Sequence, residues 1–429
     1  MNEKKEYRSI KKMVEQVKEK FGEKHKIAVM FENCISNTLE TTVRYDRDGS
    51  VFVITGDIPA MWLRDSSCQL RPFLLFAREE PEICEMIIGL IRRQIRCILI
   101  DPYANAFNET ANCNGHQDDR TQMRPDIWER KFEIDSLCFP FQLSYQLWKN
   151  TGCTDQFDEN WVRAARTVID LFRTEQHHEE QSPYFFERFN CVYTDTLSRN
   201  GKGALVKSGI GLIWSGFRPS DDACTYGYLI PSNMLACVAL KEIAEIAGEV
   251  YQDHELSGEA SVFSEQVRNA IETYAIVPGY DKDFYAYEVD GFGQYQIMDD
   301  ANIPSLLAMP YIGYCSKEYE RYQNTRDVIL SEWNPCFYKG KALQGIGSPH
   351  TKPGWVWPMA MCVQGMTCKD PEEKYRILEM VCENDDGTNL IHESVFTEDP
   401  SLYTRPWFSW ANSVFCEFVM DYMGYSVKM

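Results

Sequence analysis

Six short stretches hold most of the side chains in this sequence that could do chemistry: "WLRDSSCQLRPFLL" from residue 62, "FEIDSLCFPFQLSYQL" from 132, "SDDACTYGYLIPSNMLACVAL" from 220, "MDDANIPSLLAMPYI" from 298, "GSPHTKPGWVWPMAMCVQ" from 347 and "HESVFTEDPSLYTRPWFSWANSVF" from 392. Each places polar or acidic residues just ahead of an apolar run. Asp or Ser before an apolar helix is an ordinary N-cap pattern, and capping accounts for residues such as Ser220 or Asp299 without any chemistry. It does not account for the company these acids keep. Trp62, Trp214, Trp355, Trp357, Trp407 and Trp410 fall in or beside the stretches, with Arg64, Arg218, Arg405, His350 and His392. Ring faces stack on the apolar face of a pyranose while carboxylates, amides and guanidinium groups bind its hydroxyls, so the mixture points to a sugar pocket.

Chemistry at a sugar usually needs two carboxyl groups, one protonated to donate to the leaving oxygen and one ionised to act as base or nucleophile. Two acids in one short loop rarely reach opposite faces of a ring, so the pair must come from different stretches. The "SDDA" loop supplies Asp221 and Asp222, whose mutual repulsion favours one of them keeping a proton; a capped helix start is the structural alternative. "HESVF" supplies Glu393, beside His392, with a helix-terminal acid as its structural alternative. The first loop is read as the acid and Glu393 as the base.

These stretches need a scaffold that brings them together. "EICEMIIGLIRRQIRCILI" (82–100), "WVRAARTVIDLFRTEQ" (161–176), "NMLACVALKEIAEIAGEV" (233–250) and "EQVRNAIETYAIV" (265–277) carry apolar residues at three- and four-residue steps, which predicts a mostly helical protein. "GSVFVITGD" (49–57) and "FYAYEVDGFGQYQ" (284–296) read as hairpin strands between helices. The spacing of the six stretches suits two helices plus loops per unit, so six helical hairpins close into an (α/α)6 toroid. Each polar stretch then leads into an inner helix, and all six converge on one end. Composition stays even and no Gly/Ser-rich or Pro-rich linker divides the 429 residues, so a single domain over 1–429 is expected.

The chain carries 64 acidic against 44 basic side chains, a net charge of -20, which disfavours nucleic acid and anionic lipid as partners. Its 16 cysteines are scattered, without zinc-site spacing, and read as free thiols of a reducing compartment. The first 25 residues, "MNEKKEYRSIKKMVEQVKEKFGEKH", form a charged amphipathic helix pattern, not an apolar signal, and no run of about 18 apolar residues occurs, so the location expected is the cytoplasm. "NETANCNGHQDDRT" (108–121) is rich in oxygen ligands but lacks EF-hand spacing, and is read as a loop over the pocket that contributes to an outer subsite.

"TGDIPAMWLRDSS", "ERKFEIDSLCFP", "WSGFRPSDDAC", "MDDANIPSLL", "GIGSPHT" with "VWP", and "HES" followed by "TRPWFSWANSVF" resemble glycoside hydrolase family 125, the bacterial exo-α-1,6-mannosidases, over about residues 30 to 420. The resemblance implies an (α/α)6 barrel and a metal-independent, cofactor-free inverting hydrolase that removes terminal α-1,6-linked mannose from N-glycan-type or mannan oligosaccharides. It implies an aspartate of the "SDDA" loop as general acid, with Asp221 favoured over Asp222, and Glu393 as general base. An inverting pair stands about 6.5 to 9.5 Å apart, leaving room for the attacking water. In this reading Trp62 walls the pocket, while Arg64 and Asp65 cap the non-reducing end of the sugar; a salt bridge tying two loops is the alternative. Glu133, Asp135, Arg218, Asp222, Asp299, Asp300, Asn302, His350 and Arg405 are expected to contact sugar hydroxyls or to support residues that do. Two rival functions remain at this level: a sugar epimerase or isomerase using His350 and His392 as a proton-transfer pair, and a mannoside-binding protein without catalysis.

Overall fold

The computed structural model describes residues 7–279 and 282–429. Of the expected N-terminal helix, residues 1–6 lie outside the described residues, and α1 spans Arg8–Phe21. The five regular inner helices are α3 (Leu63–Leu70), α5 (Ile134–Thr151), α9 (Ile230–Glu249), α12 (Pro358–Thr367) and α14 (Ser409–Tyr422). Six outer helices surround them: α2 (Lys26–Asn37), α4 (Pro81–Ile100), α6 (Glu159–Gln176), α10 (His254–Tyr274), α11 (Glu320–Ile329) and α13 (Pro371–Glu383). Two single turns, α7 (His178–Gln181) and α8 (Ser198–Gly201), lie in the connection between α6 and α9.

Burial separates the two rings as the sequence pattern requires. α9 is apolar around most of its circumference and buries residues on every face, which suits a helix walled in by neighbours. α6 buries one stripe, including Trp161, Ala165, Val168 and Phe172, and turns Arg163 and Asp170 outward. α3 packs between α14 and α5, α5 against α9, and α12 against α14.

The sixth inner position is not the helix that the spacing predicts. Residues 304–314 run as successive turns, because Pro304 and Pro310 donate no N–H and Gly313 sits at φ 83°. The segment still fills its place in the ring: Arg71 donates to the Tyr311 carbonyl, Gln142 donates to that of Ile312, and the Tyr311 hydroxyl donates to Glu417 on α14. Backbone bonds within the turns, such as Ile312 N–H to the Ala308 carbonyl, and these side-chain bonds together satisfy the segment.

Short antiparallel sheets sit between the helices. Met61–Trp62, Ala106–Phe107 and Ile127–Glu129 form one three-stranded sheet, and Trp355–Val356, Val395–Phe396 and Asp399–Tyr403 form another. The expected strands at 49–57 and 284–296 are present as Val51–Val53 and as Phe284–Tyr285, Glu288–Val289 and Tyr295–Gln296. Among the described residues no helix is long and apolar enough to cross a membrane.

Candidate active site

The segments that precede the inner helices meet around one cavity holding about 390 Å3 of space free of protein atoms. Its walls include Trp62, Arg64 and Asp65 at the start of α3, Ser220 and Asp221 ahead of α9, Asn302 and His350, and Glu393, Arg405 and Trp410 around the start of α14. Five of the six polar stretches, with no local reason to lie side by side, contribute to it; ring closure brings them together.

At the closed end, Arg64 is 2% exposed and donates from Nη1 to Glu133 Oε2 at 2.5 Å and to Asp135 Oδ2 at 3.1 Å. Ser136 and Ser232 donate to the same two carboxylates. Glu133 and Asp135 therefore stand behind Arg64 rather than on the cavity wall. Three neighbouring carboxylates outweigh the cost of burial and keep Arg64 a cation, while burial raises the proton affinity of Glu133 and Asp135 against the pull of Arg64. Asp65 lies with Oδ1 3.4 Å from Arg64 Nε, without hydrogen-bond alignment. Burial pushes its carboxyl up to about 6, with Arg64 opposing the shift. Asp65 Oδ1, Arg64 Nε, Trp62 Nε1 and Trp410 Nε1 are buried without protein hydrogen bonds, so the residues of the cavity wall keep hydrogen-bonding capacity for a polar ligand.

Asp221 borders the same cavity, at φ 70°, a left-handed conformation that Asp tolerates better than most residues. Its carbonyl accepts from the buried Lys131 Nζ at 2.8 Å, and its carboxylate accepts from Asn105 Nδ2 at 3.5 Å. Asp222 does not line this cavity; its Oδ1 pairs with His350 Nδ1 at 3.1 Å. Burial disfavours the His350 cation, but the bond to Asp222 and the charges of Asp221 and Glu393 push its pKa up to about 9.

Glu393 accepts from Thr404 Oγ1 at 3.0 Å and from Arg405 Nη1 at 3.3 Å. Arg405 is itself left-handed, at φ 47°. His392 turns away from the cavity, stacks on Tyr403 at 3.7 Å and contacts Thr388 and the Asp385 carbonyl; burial lowers its pKa. The two histidines that an epimerase would need are thus not paired at the site.

Other expected contacts are seated elsewhere. Arg218 donates to Glu288 at 2.6 Å and to Thr225 and Gln296, away from the cavity. Asp299 accepts the N–H groups of Leu306 and Leu307 and so caps the turns of the sixth inner segment, with burial pushing its carboxyl up to about 8. Asp300 holds Ser220 Oγ at 2.6 Å, behind the loop that carries Asp221. Trp214 lies in the core, stacked 3.6 Å from His178. Asn105 and Lys131 escaped the sequence reading, because neither belongs to a pattern beyond the "ERK" ahead of "FEID". In the 108–121 loop, Asp119 is bound to Arg188, Asn108 braces neighbouring carbonyls, and His116 reaches a second, outer cavity.

The family described as metal-independent alpha-mannosidase (GH125) matches residues 24–420. The chain belongs to this family. It is an α-mannosidase, a glycoside hydrolase. A metal-independent alpha mannosidase of Streptococcus pneumoniae, solved as a non-productive substrate complex with alpha-1,6-mannobiose, is 45% identical to this GH125 chain, covering 98% of this chain and 99% of that one at a TM-score of 0.95. The meiotically up-regulated gene 157 protein of Schizosaccharomyces pombe is 38% identical over 96% of this chain and 85% of its own. A bacterial glucoamylase solved with acarbose matches at 12% identity and a TM-score of 0.61, covering 93% of this chain and 56% of that one, and shares the fold alone. The (α/α)6 barrel expected for a GH125 enzyme is the architecture described above.

Proposed function

We propose that the chain is an inverting exo-α-1,6-mannosidase in which Asp221 is the general acid and Glu393 the general base. One observation carries the assignment: Asp221 and Glu393, from separate loops, border a single cavity together with Arg64 and Asp65. Protonated Asp221 donates to the glycosidic oxygen as the bond to C1 breaks. Ionised Glu393, oriented by Thr404 and Arg405, takes a proton from the water that attacks the opposite face of C1. No bond forms between sugar and protein, and the released mannose is the β anomer. Asp65 accepts from adjacent hydroxyls of the terminal mannose and Arg64 donates to their oxygens, so no further sugar extends past it. That closure makes the enzyme exo-acting.

The α-1,6 preference is supported by the mannobiose bound to the similar Streptococcus enzyme. The substrates are terminal mannosides of N-glycan-type or mannan oligosaccharides, and the net charge of -20 argues against nucleic acid or anionic membrane as partners. Residues 1–429 are taken as one catalytic domain. A reducing, cytoplasmic setting is supported by 16 unpaired cysteines.

The test is proton NMR of the purified enzyme with EDTA present, on α-1,2-, α-1,3- and α-1,6-mannobiose. Early β-mannose from the 1,6 substrate alone is expected. Early α-mannose sinks the inverting pair, silence in EDTA sinks the metal-free mechanism, and preference for another linkage sinks the specificity.

A further inference from the structure

Next to the inner cavity lies a wider outer one that opens to solvent. Trp62, Asp221 and His350 border both, so the two spaces meet at the general acid. We propose that the outer cavity binds at least two sugar residues on the reducing side of the cleaved bond, with Tyr193 as the platform for the outer one. The proposal rests on the inner cavity being the seat of the terminal mannose.

Three observations support it. The first is a continuous aromatic wall. Trp62 and Trp128 both pack around Ala106 of the central strand, in a small apolar cluster separate from the main core. The small Ala106 leaves both rings room. The His116 N–H donates to the Trp128 carbonyl at 2.8 Å, a close approach that Gly115 permits, since a Cβ there would meet that oxygen at 2.4 Å. The wall therefore runs from the inner cavity into the outer one.

The second is the state of the charged floor. Arg188 gives its guanidinium protons to Asp119, Asp195 and Glu129, and Lys131 gives its ammonium to Asp195 and the Asp221 carbonyl. Both cations are paired within the protein, so neither is left over for an anionic ligand. Such a floor suits a neutral ligand held by ring faces rather than an anion held by cations.

The third is Tyr193, which borders the outer cavity while 89% exposed. Its loop is anchored at the two residues that follow it: Asp195 is clamped by Lys131 and Arg188, and the Thr194 carbonyl accepts from Ala223 N–H at 2.7 Å, next to the acid loop. A bare ring on an anchored loop at the mouth of a sugar cavity has the preorganisation that stacking on a pyranose requires.

Initial rates on α-1,6-mannobiose and α-1,6-mannotriose test this. The native enzyme is expected to show kcat/KM about tenfold higher for the trisaccharide, the scale of one ring stack. Tyr193→Ala should bring that ratio to about one and Tyr193→Phe should keep it, because the ring face carries the contact. Equal efficiency on both sugars in the native enzyme, or an unaltered ratio in Tyr193→Ala, overturns the proposal. If mannobiose and mannotriose are both left intact, the catalytic reading fails instead. Calorimetric affinities of the same two sugars then decide the outer site by the same ratio.

Discussion

The Asp57 carboxylate holds the guanidinium of Arg405, 348 positions later in the chain: Arg405 Nε lies 3.0 Å from Oδ1 and 3.1 Å from Oδ2, and Nη2 also donates to Oδ1. The loop bearing Asp57 fits because Gly56, at φ 134°, lies so close to the Trp407 carbonyl that a Cβ would meet it at 2.6 Å. Arg405 is thus shared between Asp57 and Glu393. In Asp57→Asn one hold on the guanidinium is lost, so Arg405 no longer fixes the direction of the Glu393 carboxylate. The expected outcome is a kcat lower by about tenfold with KM changed less. Asp57→Glu should recover part of kcat. An unchanged kcat in Asp57→Asn would show Asp57 to be a strut only.

The two aspartates of the acid loop separate by leaving group. An aryl α-mannoside needs little proton donation, whereas mannobiose needs it fully. Asp221→Asn should therefore lose about 10²- to 10⁴-fold on mannobiose and far less on the aryl substrate. Asp222→Asn, acting through His350, should lose similar factors on both. The reverse pattern would transfer the acid role to Asp222.

Asp65, with its carboxyl pushed up to about 6, has to be ionised to accept two sugar hydroxyls. As pH rises through about 6 the carboxylate form becomes dominant, so KM for mannobiose should fall across that interval and level off above it. Asp65→Asn should raise KM and abolish this dependence. A KM that is flat between pH 5 and about 7 in the native enzyme would count against Asp65 as a hydroxyl acceptor.

Trp214 tests the boundary between core and site. A Cβ at Gly227 would lie 2.4 Å from the Trp214 ring, a contact that the stacked His178 beneath does not let relax. Gly227→Ala is expected to cost about 1–3 kcal/mol and to lower Tm by a few degrees. KM should not move, which steady-state kinetics on the folded variant would check.

Much of the scaffold was legible because apolar periodicity is local. α4, α6, α9 and α10 stand where three- and four-residue spacing puts helices, and the polar stretches do lead into the inner ring. The sixth inner segment was misjudged as a helix because its apolar spacing, Leu306–Leu307 to Tyr311–Ile312, matches one, while Pro310 and the Asp299 cap favour turns.

The site divides along the same line. Residue types sufficed to mark Trp62, Arg64, Asp65, Asp221 and Glu393 as candidates, and these five line one cavity. They could not tell cavity wall from support: Glu133 and Asp135 stand behind Arg64, Arg218 belongs to Glu288, and Asp299 caps turns.

What the sequence determined by itself was a helical ring and the kinds of groups its mouth would carry, since periodicity and side-chain chemistry are properties of short stretches. Tertiary structure alone decided which groups share a cavity, which charges pair, and that Asp57, Asn105 and Lys131 stand against residues of its wall. Ring closure joins residues hundreds of positions apart, and their pairing depends on distances that no local pattern encodes.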